Sequence, residues 1–353
     1  LYAMGATQHT VGAEYIRGYS ILQILLGNMG MPGGGINAMR GESNVQGSTD
    51  MALLFHLLPG YLGIPNAKLH PTLKDYNEKE TPKTSYWSNK PKFLTSMLKA
   101  WWGDKATKEN DFCYDYVPKI GAGHKGGGYS WISLFEAMND GKIKGMLNWG
   151  QNPAVSGPNS NLELSALDKL NWLVDIQLWE TETSDFWKRP GVNPANIKTE
   201  VFLLPAAFAL EKEGSITNSG RWIQWRYQAI NPPGDAKRDL WWIDQLYKEL
   251  KTLYLADKNA AFPDPLVNLN WDYGQEPDVH LVAKEINGYT VADKKQLANF
   301  TKLADDGSTA CGIWIYSGFY PGSDKKDNKA ASRDKSDPSG LGIFPNWTYA
   351  WPI

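Results

Sequence analysis

Residues 144–177 read KGMLNWGQNPAVSGPNSNLELSALDKLNWLVDIQ. Lys144 to Trp149 has the short apolar run of a buried strand, and Trp172 to Gln177 repeats it. Gly150-Gln151-Asn152-Pro153 is a turn, and Asn161 to Leu170 carries a helical pattern. Strand, helix and strand in this order make a βαβ unit, which is parallel with a right-handed crossover. A third strand is expected over Val201 to Leu204, after a short helix near Asp185. The fold class that follows is α/β, with Rossmann-like parallel-sheet layers and helices on both faces.

Outward from this unit, Ser130 to Asn139 reads as a helix, and Ser215 to Gln224 as a hairpin around Asn218-Ser219-Gly220. Helices are expected over Asp239 to Ala256 and Pro277 to Asn287, and a late strand over Cys311 to Tyr316. Toward the N-terminus, Tyr2 to Met4 reads as the end of a buried strand. Thr10 is a candidate N-cap, with Glu14 in the first turn. The helix that follows is apolar nearly all round, so it is expected to be mostly buried and to end at Gly27-Asn28. A glycine-rich loop, Met31 to Gly35, leads to Arg40. Residues 60–128, rich in Pro, Lys, Asp and Trp, are expected to be a surface insertion of loops and short helices. The resulting division is 1–40, 41–205 with that insertion, and 206–353. Leu1 stands where an initiator Met is usual, and Trp347 to Ile353 is aromatic without a polar tail. Both ends are therefore expected to be cut from a longer chain.

Composition limits the functions. A chain of 353 residues suggests about two domains, and a hydrophobic share of 42% with 21% charged residues excludes wholesale disorder. The formal charge of -2 gives no basic field for nucleic acid. No run reaches the length of a membrane span. Two cysteines, Cys113 and Cys311, build neither a disulfide framework nor a four-cysteine zinc or iron–sulfur site. The 34 glycines imply tight turns or close approaches to a ligand, and the 16 tryptophans imply thick packing or stacking surfaces.

Ligands of open α/β sheets bind at the carboxyl ends of the strands. Three such ends carry polar loops: Gly5-Ala6-Thr7-Gln8-His9, Gly150-Gln151-Asn152-Pro153, and Gln177 through Glu180-Thr181-Glu182-Thr183. Amides and hydroxyls there offer donor–acceptor pairs for a purine edge or a phosphate. A large, phosphorylated, nucleotide-like ligand is the expectation. The ordinary dinucleotide and ATP fingerprints and the Gly-x-Ser-x-Gly elbow are absent. Plainer readings stand beside this one. Gly150 to Pro153 also reads as a simple turn, and His9 as a structural histidine. His56, His70, His124 and His280 show no metal spacing. Arg40 is flanked by glycines after an apolar helix and could clamp a small carboxylate, with Glu42 as its partner or a proton relay.

These motifs resemble a known family. Residues 5–50, with GGGINAMRGESNVQGSTD at 33–50, resemble the catalytic subunit of molybdenum- or tungsten-dependent formate dehydrogenases, in the dimethyl-sulfoxide-reductase superfamily. LNWGQNPAVSGPNSN (147–161), DIQLWETETSDFW (175–187), TEVFLLPAAFALEKEGSITNSGRWIQWR (199–226) and GIFPNWTYAWP (342–352) resemble successive blocks of the same subunit. The resemblance implies that the chain is the central portion of a larger multi-domain subunit. It implies a bis-molybdopterin guanine dinucleotide cofactor holding W or Mo, and reversible oxidation of formate to carbon dioxide. Electrons would pass to iron–sulfur clusters and an electron-transfer subunit, in the periplasm. Arg40 matches the active-site arginine, and Glu42 lies in the loop after it. Gly5, Thr7, Gln8 and His9 match a cofactor-binding loop, and Gly150, Gln151, Asn152, Gln177 and Thr181 match guanine dinucleotide loops. Gly41, Asn44 and Gln46 are further candidates. The family's metal ligand, a selenocysteine or cysteine followed by His, lies upstream of these residues, as does the [4Fe-4S] cluster. Neither Cys113 nor Cys311 matches the ligand.

Two alternatives remain. One is another molybdopterin oxidoreductase, of nitrate reductase type. The other is a non-catalytic binding module that stacks ligands on its tryptophans, which requires an exposed row of them.

Overall fold

A computed structural model of the chain describes residues 1–121, 129–331 and the backbone of 349–350. The described chain forms two compact units, one of residues 121–212 and 227–256, the other of residues 1–120, 213–226 and 257–353. The sequence-based division at residues 40 and 205 cuts across them. The 342–352 block and His124 lie outside the described residues, apart from the backbone of 349–350.

The smaller unit is built on β1 (Gly145–Trp149), β2 (Trp172–Gln177) and β3 (Glu200–Pro205), parallel and adjacent in that order. This is the expected α/β arrangement. Asn148 of β1 stands opposite Asp175 of β2. Gly145 is required because the Trp172 ring lies 2.0 Å from where a Cβ would be. The crossover contains the Pro153–Ser156 turn and the Ser160–Leu167 helix, capped by the Asn159 side chain on the Leu162 N–H. That helix and the Trp131–Asn139 helix bury Phe135, Met138, Ala166 and Leu167 against Leu173 and Phe186. Asp239–Ala256 is helical, as its pattern indicates.

The larger unit holds β4 (Gly214–Thr217) and β5 (Trp222–Arg226), the expected hairpin. Several expectations fail in this unit, each for a physical reason. Residues 60–120 are not a surface insertion but supply much of the core. The Lys90–Trp102 helix buries Phe93, Leu94, Met97 and Leu98, an apolar stripe hidden by its lysines and proline. Cys311 to Tyr316 is not a strand. Thr309–Ala310 pairs with Tyr289–Thr290, and Trp314–Tyr316 is a 3-10 turn. A fully buried run has no period to separate the two. Tyr2 forms one parallel bridge to Ala38, and Met4 already starts a helical turn. Thr10 is not a cap, because the Gly12–Leu25 helix begins after Val11. That helix is not mostly buried either. Tyr15, Tyr19, Ile21, Leu22 and Ile24 are exposed, since its apolar surface runs round more sides than the described chain covers. Its end is as expected. Gly27 (φ 68°) donates to the Ile24 carbonyl and Asn28 to the Gln23 carbonyl.

Within this core Trp314 stacks on Phe93 at 4.1 Å and donates to the Gly60 carbonyl at 2.8 Å. Gly60 has φ 71°, and a Cβ there would meet the Trp314 ring at 2.5 Å. Among the described residues Trp172 and Trp179 are the exposed tryptophans, so no stacking row forms. No described helix is long and apolar enough to cross a membrane.

Glu285, partly buried, accepts from the Tyr273 hydroxyl at 2.8 Å. Burial pushes its carboxyl up to about 7 in spite of that bond. A carboxyl raised in the fold binds its proton more tightly there than in the unfolded chain. Stability is therefore lost as pH rises from the ordinary glutamate value through about 7, and is level above it. Thermal scans should show wild type losing stability relative to Glu285→Gln over that window. A difference between the two that does not change with pH would contradict the raised carboxyl.

Candidate functional site

In the smaller unit the loops after β1 and β2 meet at the carboxyl end of the sheet. Gly150 adopts φ 62°, with open space where a Cβ would stand. Its N–H donates to the Ile176 carbonyl at 3.0 Å. The Gln151 carbonyl accepts from Asn148 Nδ2 at 2.7 Å and from Gln177 Nε2 at 2.5 Å. The same two amides donate to Asp175 Oδ1, at 2.6 and 2.9 Å. Asp175 is fully buried, and that burial raises its carboxyl above the usual range although both amides oppose the shift.

Asn152 joins the two loops. Its Nδ2 donates to Glu182 at 2.6 Å, and its Oδ1 accepts from the Thr183 hydroxyl at 2.7 Å. The Asn152 bond holds the Glu182 carboxyl below its ordinary range. Thr181 and Ser184 exchange bonds, with the Thr181 N–H 2.8 Å from Ser184 Oγ. Gly150, Gln151, Asn152, Gln177 and Thr181 are thus brought together. The Asn152 and Gln177 side chains serve the loops themselves, while the Gln151 side chain is exposed. Sequence reasoning placed Thr183 in the polar loop but missed Asn148 and Asp175. A carboxylate in the middle of the apolar strand WLVDIQ was the available signal.

In the larger unit, Tyr2 N–H donates to the Asn37 carbonyl at 3.0 Å, and Met39 N–H to the Tyr2 carbonyl at 2.7 Å. Because this bridge is parallel, the segments leaving it depart at the same end. One is the Met4–Thr7 turn with Gln8 and His9, carrying Gly5 and Thr7. The other is Arg40-Gly41-Glu42. His9 Nε2 lies 2.7 Å from the Gly5 carbonyl and closes its own turn. Arg40, Gly41 and Glu42 are exposed. Arg40 and Glu42 form no ion pair with each other or with any other described residue, so the expected pairing is not made.

Behind Arg40 the chain turns inward. Asn44 Oδ1 accepts the Thr217 N–H at 2.9 Å, and Gln46 Nε2 donates to Asp50 Oδ1 at 2.7 Å. Asp50, fully buried, also accepts from the hydroxyls of Tyr61 and Tyr316, both at 2.6 Å. Arg221 Nε lies 3.3 Å from Asp50 Oδ2, and its guanidinium sits over the Tyr61 ring at 5.5 Å. Burial, then the Asp50 bond, raises the Tyr61 hydroxyl. Asn44 and Gln46 therefore anchor the Val45–Asp50 helix within the protein. Asp50, Tyr61, Arg221 and Tyr316 were not foreseen.

Among the described residues no group of three or more His, Cys, Asp or Glu is arranged to hold a metal ion. His70 faces Glu80 at 3.3 Å and His280 faces Glu213 at 3.1 Å. Cys113 and Cys311 are buried thiols, the latter pushed up by burial to about 12.

A parallel sheet with polar loops at its carboxyl end suits an α/β ligand-binding domain. Residues 1–249 match the molybdopterin oxidoreductase family, and the chain belongs to it. Over its whole length it is 46% identical to formate dehydrogenase 2 subunit alpha of Nitratidesulfovibrio vulgaris and to formate dehydrogenase subunit alpha of Megalodesulfovibrio gigas. It is 43% identical to the formate dehydrogenase-O major subunit of Escherichia coli. The chain spans 36% of the length of each of these relatives. The loops of the smaller unit leave backbone and amide groups open to a ligand. Open space beside Gly150 admits a ligand to the backbone, and the Gln151 amide is exposed.

Removing Asp50 would take one acceptor from Arg221 and from the Tyr61 and Tyr316 hydroxyls, of which Tyr316 keeps Thr217 Oγ1 at 2.9 Å. Asp50→Ala should cost about 3–5 kcal/mol in denaturant unfolding, with Asp50→Asn intermediate. A cost below about 1 kcal/mol for the alanine variant would show that water replaces the carboxylate freely.

Proposed function

We propose that this chain is part of the catalytic subunit of a formate dehydrogenase, acting in the reversible two-electron oxidation of formate to carbon dioxide. Identity of 43–46% over the whole chain to formate dehydrogenase alpha and major subunits supports the reading. One observation carries it to a residue. Arg40 is exposed, has no ion pair among the described residues, and leaves the Tyr2–Ala38 bridge at the same end as the Gly5–His9 segment. A guanidinium without a carboxylate partner is available to a substrate carboxylate. Its planar fork matches the two oxygens of formate and stays charged at any working pH.

The cofactor in this proposal is bis-molybdopterin guanine dinucleotide with W or Mo, which supplies the two-electron redox chemistry when bound. The chain's residues bind and orient. Gly150, Gln151 and Thr181 would hold a guanine dinucleotide, with Asn152 and Gln177 shaping the loops around it. Gly5, Thr7, Gln8, His9 and Gly41 would hold a further part of the cofactor. Arg40 would orient formate, and the exposed Glu42 would exchange protons with solvent. Asn44 and Gln46 would support this loop from behind. Iron–sulfur clusters, including a [4Fe-4S] cluster in the remainder of the catalytic subunit, would take the electrons toward a partner subunit. The proposed location is the periplasm, on the resemblance to exported enzymes. A nitrate reductase-like activity is the alternative. The buried or half-buried state of most described tryptophans speaks against a stacking module.

In the full-length enzyme, Arg40→Ala should lower kcat/KM for formate by about 10²–10⁴, with metal and pterin content unchanged. Arg40→Lys should recover only part of it. Wild-type kcat/KM in a fully loaded Arg40→Ala enzyme would overturn the role. Nitrate turnover without formate turnover would favour the alternative.

A further inference from the structure

We infer that Asp175 is the positioning residue of the guanine dinucleotide loop, an inference that rests on the cofactor proposed above. Asp175 lies in the middle strand of a parallel sheet and is fully buried. It forms no ion pair among the described residues. Burying a carboxylate without a cation costs free energy that an apolar residue of the same size would avoid. The sheet gains nothing from it as packing. What the carboxylate does is orient two amides.

Asp175 Oδ1 accepts from Asn148 Nδ2 at 2.6 Å and from Gln177 Nε2 at 2.9 Å. Asn148 stands opposite it on β1, and Gln177 is two residues along β2, on the same face. An acceptor between two amides dictates which way each is flipped, with nitrogen toward the carboxylate. Each nitrogen also donates to one atom, the Gln151 carbonyl oxygen, at 2.7 and 2.5 Å. The three side chains thus form a clamp that fixes the backbone of residue 151 from inside. The Gln151 side chain is left in solvent and Gly150 in its left-handed conformation. Asp175 Oδ2 is buried without a partner, so the carboxylate works through one oxygen.

That last point sets the test. Asp175→Asn keeps an acceptor oxygen for both amides. Asp175→Leu keeps the branched shape in a somewhat larger side chain and has no acceptor. The measurement is guanine nucleotide released by acid hydrolysis per subunit of the full-length enzyme, beside its thermal midpoint. Asp175→Leu should fold and lose guanine about tenfold, while Asp175→Asn keeps more than half of it. Should Asp175→Leu fail to fold, Asn148→Val removes one arm of the clamp and should lose guanine in the same way. Wild-type guanine content in a folded Asp175→Leu or Asn148→Val enzyme overturns the inference, because packing alone would then suffice. Guanine missing from the wild-type enzyme itself overturns the cofactor reading, and the inference with it.

Discussion

The Asp50 carboxylate, sealed from water, sets the terms for everything around it in the larger unit. Its lost hydration is replaced by Gln46, Tyr61, Tyr316 and Arg221, from four separate stretches of chain. A buried charge tolerates no half-made shell, so all four stretches must be in place together. Tyr61 follows Gly60, whose carbonyl fixes the Trp314 indole in the core. Arg221 sits at the turn of the β4–β5 hairpin, in the left-handed region at φ 57°. Gln46 belongs to the short helix that starts a few residues after Arg40. The loop that carries Arg40 thus leads straight into a segment anchored by one carboxylate.

The smaller unit uses a buried carboxylate differently. Asp175 meets only amides, so no cation offsets its desolvation, and its proton is held more tightly than usual. Asp50 joins distant segments, whereas Asp175 sets two side chains and one carbonyl within a single βαβ unit. Both act one step behind the surface. The groups proposed to meet a ligand are glycine backbone, the Gln151 amide and the Arg40 guanidinium, and these are cheap to expose.

What the sequence made legible was local. The strands at 145–149 and 172–177, the hairpin around Asn218 and the 239–256 helix follow from period, turn residues and length. The polar loops were legible because Gly, Gln, Asn and Thr cluster where strands end. The segment at 60–120 was not, because lysines and prolines mask the Phe93, Leu94, Met97, Leu98 stripe. Nor was Cys311 to Tyr316, because burial on all sides erases periodicity. The inward roles of Asn44, Gln46, Asn152 and Gln177 were hidden for a related reason. Their residue types suit a ligand as well as they suit a carboxylate or carbonyl elsewhere in the chain, and only the fold says which is in reach.

The span between Asp50 and Tyr316, 266 residues, carries a cost at synthesis. A ribosome delivers the Asp50 side chain long before the Tyr316 hydroxyl that completes its shell. The stretches at 121–212 and 227–256, which make up the other unit, emerge in between. The smaller unit can therefore close while the larger one still waits, holding an unsatisfied carboxylate and an apolar helix in the open. A nascent chain in that state is a natural client for a chaperone, until the stretch around Tyr316 arrives.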